Sequence, residues 1–118
     1  MILLLSANWP QRALLRAQLC EDTGLEVVGA QSAADALRWL ASTRFDLLVL
    51  DTQGLPPDER LLTSIRARRL PLVVVTGPSD HARWGHSLSD LDVRAVHVRP
   101  VFIGEVTRAA RAALPADG

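Results

Sequence analysis

The sequence contains no lysine: all thirteen basic residues are arginine. Any positive charge that a site uses must therefore be a guanidinium, which is permanently charged and planar. There is one cysteine, Cys20, which excludes an internal disulfide and fits a reducing compartment. Its neighbours Leu15, Leu19 and Leu25 mark it as a buried structural thiol rather than a nucleophile. Long apolar runs are absent too. Ile2 to Leu5 is too short for a signal peptide or a membrane span, so a cytoplasmic chain without membrane contact is expected. Net charge is zero, with thirteen acidic residues against thirteen basic ones, and leaves no electrostatic footprint for direct nucleic-acid binding. No internal repeat and no low-complexity segment occurs.

What is present is an alternation. At 118 residues, 48 % apolar and 22 % charged, the chain has the length and composition of one globular domain. Short apolar runs at Ile2–Leu5, Leu25–Ala30, Leu47–Leu50, Leu70–Val75 and Val93–Val98 read as strands. Most are continuous rather than alternating, as in parallel strands covered on both faces. The last, with Arg94 and His97 mixed in, suits an edge.

Helical patterns fill the gaps. Residues 11–20 place Leu15 and Leu19 one turn apart. Ser32-Ala-Ala-Asp35 resembles a capping box and opens a stripe of Ala33, Leu37, Leu40 and Ala41. Asp58 to Arg69 carries Leu61, Leu62 and Ile65, and Phe102, Val106, Ala109, Ala110 and Ala113 form an amphipathic stripe. Ser79–Leu88 is the weakest segment. Gly85 interrupts it, so a short or frayed helix is expected, with Trp84 partly exposed as a contact surface.

Successive βα units joined by right-handed crossovers make an α/β fold, a doubly wound five-stranded parallel sheet with helices on both faces. In such sheets ligands gather at the carboxyl ends of the strands. The run Phe45-Asp-Leu-Leu-Val-Leu-Asp51 ends there on an acid. An interior carboxylate is costly unless paired, so Asp51 is expected just past the strand, facing the crevice with Ser6, Ala7, Asn8, Thr76 and Arg99 as neighbours.

An Asp after the third strand, a Thr after the fourth (Val73-Val-Val-Thr76-Gly77) and a basic residue before proline after the fifth (Val98-Arg99-Pro100) form an ordered trio. With the βα pattern, they resemble the receiver domain of two-component response regulators over essentially the whole chain. The resemblance implies a flavodoxin-like (βα)5 fold with strand order 2-1-3-4-5, a receiver-like domain over residues 1–114 and a tail or linker stub at 115–118. It places Asp51 at the phosphoacceptor position, Thr76 at the phosphate-binding hydroxyl, and Arg99 where the family has lysine before a typically cis proline. Partners would be signalling proteins or an output domain, a histidine kinase among them, with the surface of the fourth helix, fifth strand and fifth helix as contact or homodimer face.

Three departures from that family matter. The two adjacent acids that hold Mg²⁺ after the first strand are replaced by Ser6, Ala7 and Asn8 in either alignment. The aromatic that lies three residues before the lysine is Val96 here. The proline after the phosphoacceptor falls one place late, at Pro56, so the 52–57 loop is expected to be remodelled. Mg²⁺ prefers oxygen ligands, carboxylates above all. At an effective dielectric of about 20, a unit charge pair at ~4 Å is worth roughly 4 kcal/mol, so each missing acid removes several kcal/mol of attraction. Weak or absent Mg²⁺ binding follows, with no cofactor expected. A guanidinium can grip a carboxylate through two parallel hydrogen bonds, so Arg99 is expected to lean toward Asp51 in place of the ion.

The leading expectation is an atypical receiver that is not an enzyme and works by protein contacts. The alternatives are a functional phosphoacceptor modified at Asp51 and a flavodoxin-like binder of a small cofactor. Ser6-Ala-Asn-Trp-Pro10 offers an FMN phosphate one hydroxyl and no glycine, and no Gly-rich dinucleotide fingerprint exists. A hydrolase lacks any visible set of nucleophile, base and orienting group. His81, His86 and His97 read as surface residues, since none has metal-ligand spacing. Trp9, Trp39 and Trp84 read as packing rather than ligand stacking, and Arg66, Arg68 and Arg69 as solvated helix-end charges.

Overall fold

The computed structural model describes residues 1–115. Ten elements alternate strictly: β1 Ile2–Leu5, α1 Trp9–Thr23, β2 Val27–Ala30, α2 Ala33–Ser42, β3 Leu47–Asp51, α3 Glu59–Arg68, β4 Leu72–Thr76, α4 Pro78–Leu88, β5 Val93–Val98 and α5 Ile103–Ala113. The strands form one parallel sheet in the order β2-β1-β3-β4-β5. The family's expected order is therefore the observed one. Residues 116–118 of the expected tail lie outside the described residues.

The period of two along each strand divides the core into two layers. Leu3, Leu5, Leu48, Leu50, Leu72 and Val74 face one way, onto Ala36 and Leu40 of α2, Leu61, Leu62 and Ile65 of α3, and Trp84 of α4. Ile2, Leu4, Leu47, Val49, Val73 and Val75 face the other, onto Leu19 of α1 and Val106, Ala110 and Ala113 of α5. Because β1, β3 and β4 are covered on both faces, every one of their residues is buried. β5, at the edge, is half covered, as its Arg94 and His97 foretold.

Several boundaries and faces differ from the sequence expectation. β2 and β4 each begin two residues late, while α1 begins two residues early, where Asn8 caps it and Pro10 sits in its first turn. In α2 the buried pair is Ala36 and Leu40, with Ala41 exposed. Its capping box is half made: Ser32 accepts from the Asp35 N–H, but Asp35 turns back to the N–H of Gln31 rather than of Ser32. Phe102 is the N-cap residue of α5 and 79 % exposed, so it is not part of that helix's buried stripe. Cys20 is half-buried.

The largest correction is α4. It is a full helix of 11 residues, and Trp84 is 1 % exposed rather than surface-lying. Its indole N–H donates to the Leu55 carbonyl at 2.9 Å, tying α4 to the β3–α3 loop. Burial of one large indole outweighs the propensity cost of Gly85 (about 1 kcal/mol). Trp9, 68 % exposed, and Trp39, 37 % exposed, are not core packing either. His81 and His86 are exposed as expected, whereas His97 is half-buried, with Nε2 lacking a hydrogen-bond partner.

Candidate functional site

The site lies at the carboxyl ends of β1, β3, β4 and β5. Asp51 is the last residue of β3 itself, not a residue beyond it, and is 2 % exposed. A carboxylate there needs partners, and the fold supplies three. Ser6, one residue past β1, donates its hydroxyl to Asp51 Oδ2 at 3.1 Å. The backbone N–H of Gln53 donates to Oδ1 at 3.1 Å. Arg99 Nη2 donates to Oδ2 at 2.7 Å, from a residue just past β5 that precedes a cis proline, Pro100.

The grip of Arg99 is not the fork expected for a guanidinium on a carboxylate. The same Nη2 also donates to Gln11 Oε1 on α1 at 2.8 Å, and Nη1 is enclosed with no acceptor. One nitrogen thus bridges β3 and α1, and the pair is single-pronged. Burial differs across it: the Asp51 side chain is 3 % exposed and that of Arg99 is 24 % exposed.

Thr76 ends β4 and is buried. Its hydroxyl accepts a hydrogen bond of 2.7 Å from Thr52 Oγ1, the residue after Asp51. Neither hydroxyl is presented freely to the crevice. The 52–57 loop makes a tight turn in which the Leu55 N–H bonds to the Thr52 carbonyl at 3.0 Å. Gly54 supplies the positive φ, +74°, that this turn requires. Leu55 then inserts its side chain into the core and its carbonyl onto Trp84.

The positions that replace the family's acids are each committed elsewhere. Ser6 is bonded to Asp51, Ala7 is exposed with no polar side-chain atom to offer, and Asn8 Oδ1 accepts from the Gln11 N–H as the N-cap of α1. Among the described residues, no group of three or more His, Cys, Asp or Glu gathers in a way that could hold a metal. Val96, at the position of the family's aromatic, lies on β5 and is 43 % exposed. Beside the Arg99–Asp51 pair a cavity of about 240 Å³ opens between α1 and α5, walled by Leu14, Leu15, Val101 and Val106.

Asp51, Thr76, Arg99 and Ser6 are thus brought together, while Asn8 and Val96 are not part of the cluster. Gln11 and Thr52 belong to it without having been singled out in the sequence. Thr52 follows Asp51 directly and was within reach of a strand-end reading. Gln11 depends on α1 starting early enough to turn that side chain over β3.

No family model matches the chain, and no curated protein does. Solved structures do match. A response regulator receiver protein from Pseudomonas putida aligns at TM-score 0.77 and 26 % identity, covering 94 % of this chain and 94 % of that one. The receiver domain of NtrX from Brucella abortus aligns at TM-score 0.77 and 24 % identity, covering 97 % and 98 %. A protein described as an adenylate cyclase from Rhodopirellula baltica aligns at TM-score 0.79 and 19 % identity, covering 95 % and 84 %. The fold is that of response-regulator receiver domains.

Proposed function

We propose that this chain is a receiver-like signalling module of a two-component response regulator that works by protein contacts, without metal-dependent phosphorylation and without enzymatic turnover, in the cytoplasm. The observation that carries the reading is the 2.7 Å contact of Arg99 with Asp51. It puts a fixed positive charge on the one carboxylate of the site. Phosphoryl transfer needs a cation to neutralise charge on the group in flight, and a divalent ion here would find poor ligands. The donors do not fit one: a single carboxylate already holding three donors, a serine hydroxyl turned to that carboxylate, and an asparagine spent on a helix cap. Arg99 would also have to leave Asp51 before a phosphoryl group could enter.

The contact surface fits the same reading. On the face formed by α4, β5 and α5, Val96 and Val98 are each 43 % exposed, and Phe102 is 79 % exposed. Exposed apolar side chains on these elements suit docking of a signalling protein, an output domain or a second copy. With valine at position 96, the aromatic that couples phosphorylation to that face in the family has no counterpart.

Incubation with acetyl phosphate and Mg²⁺, followed by intact mass, tests the proposal. The mass is expected to stay unchanged over hours. A stoichiometric phosphoryl adduct that disappears in Asp51→Asn would instead establish a working phosphoacceptor.

A further inference from the structure

Two of the three tryptophans share one groove, on the sheet edge opposite β5. Trp9 opens α1, Trp39 lies on α2, and with Arg12, Arg16 and Glu26 they line a cleft of about 440 Å³ beside β2. Both indoles are substantially exposed, at 68 % and 37 %. Tryptophan and arginine are the side chains that most often carry binding energy at protein interfaces. Here two of each lie on a single patch.

The floor of the cleft is already satisfied, which limits what can bind. The Glu26 and Ala30 carbonyls accept from β1, so the Val27 and Gly29 backbone groups between them point to the free edge. Arg16 Nε donates to the Val27 carbonyl there at 2.7 Å. Arg12 Nη1 reaches the Ser6 carbonyl at 2.7 Å, and its side chain lies over Gly29, where a Cβ would stand 3.4 Å from Arg12 Cδ. The guanidinium on Val27 blunts the edge against an added strand. Recognition must go through side chains.

The charges then select the occupant. The patch holds two guanidinium groups and one carboxylate, and Glu26 forms no ion pair among the described residues. A uniformly acidic partner would meet Glu26, and a uniformly basic one would meet Arg12 and Arg16. A second copy of the same patch, turned about a two-fold axis, can set the Glu26 of each copy against a guanidinium of the other while Arg12 stays on its own Ser6 carbonyl, which is the self-complementarity that an isologous contact requires. We propose that the chain self-associates through this groove, with Trp9 and Trp39 buried across the axis and Arg16 of each copy against Glu26 of the partner subunit. This contact is independent of the signalling reading and lies at the β2 edge of the sheet, opposite the edge that carries the α4–β5–α5 face.

Sedimentation equilibrium of the full chain from micromolar to millimolar concentration is expected to show a monomer–dimer equilibrium. Tryptophan emission should shift to the blue as the dimer fills. Glu26→Arg and Arg16→Glu are each expected to weaken association by about tenfold or more, because each makes both crossing contacts like-charged. An equimolar mixture of the two variants should regain it, since every Arg–Arg or Glu–Glu clash then becomes an opposite pair. Glu26 is exposed, so its substitution tests the contact without threatening the fold, and Trp9→Ser is a second, uncharged check. A chain that stays monomeric throughout overturns the proposal. So does a mixture that fails to restore association, or a dimer abolished by Phe102→Glu yet indifferent to Trp9→Ser and Glu26→Arg.

Discussion

Replacing Arg99 with alanine is expected to lower the unfolding free energy by about 3 kcal/mol, read from urea denaturation midpoints at constant m-value. The reason is asymmetry. Asp51 is buried at the end of β3, and without Arg99 it keeps only the Ser6 hydroxyl and the Gln53 N–H. An uncompensated buried charge costs about 3–5 kcal/mol, and the partial exposure of Arg99 places this pair at the lower end. The double variant Asp51→Asn/Arg99→Leu removes both charges and is expected to return to within about 1 kcal/mol of the parent. Equal stability of Arg99→Ala and the parent chain would show that the pair contributes nothing, and with it the idea of a charge locked in place. Gln11, which shares Nη2, is the neighbour through which the loss would spread to α1.

Trp84→Ala is expected to be at least as damaging, at about 4 kcal/mol, by the combined loss of apolar burial and the cavity left behind. The indole is 1 % exposed in the layer shared by α2, α3 and α4. Trp84→Phe separates the two contributions. It keeps most of the volume but leaves the Leu55 carbonyl without its 2.9 Å donor, and a cost of about 1–3 kcal/mol is expected. Because Leu55 closes the turn that begins at Thr52, both variants should also perturb the Thr52–Thr76 hydrogen bond. Amide exchange at Leu55 and Gln53 should quicken well before global unfolding. Denaturation curves unchanged in Trp84→Ala would contradict the placement of that helix.

α4 lies where local sequence stops being informative. Gly85 and a polar majority argue for a frayed segment on propensity alone, yet a tryptophan seated under the β3–α3 loop decides the matter from residues far away in the chain. Trp9 fails in the opposite direction. Its apolar bulk suggests core, but Asn8 and Pro10 start the helix there and leave the indole outside. By contrast, Asp51 and Thr76 were legible because each ends a continuous apolar run, and Arg99, which follows the mixed edge strand β5, was marked by the proline after it. The end of a buried parallel strand is a position that sequence marks well. The one-pronged geometry of Arg99 was not legible, since it depends on Gln11, 88 residues away. Nor was the commitment of Asn8 to a cap, which follows only once the first turn of α1 is placed.

The central claim is that a guanidinium stands where receiver domains hold a divalent cation. It is tested most directly by titrating Mg²⁺ into the protein while following backbone amide shifts at Ala7, Gln53, Gly54 and Gly77 by NMR. No saturable shift is expected at these amides up to tens of millimolar Mg²⁺, and beryllofluoride should add none. Saturation at low-millimolar Mg²⁺ or below, centred on Gln53 and lost in Asp51→Asn, would contradict it.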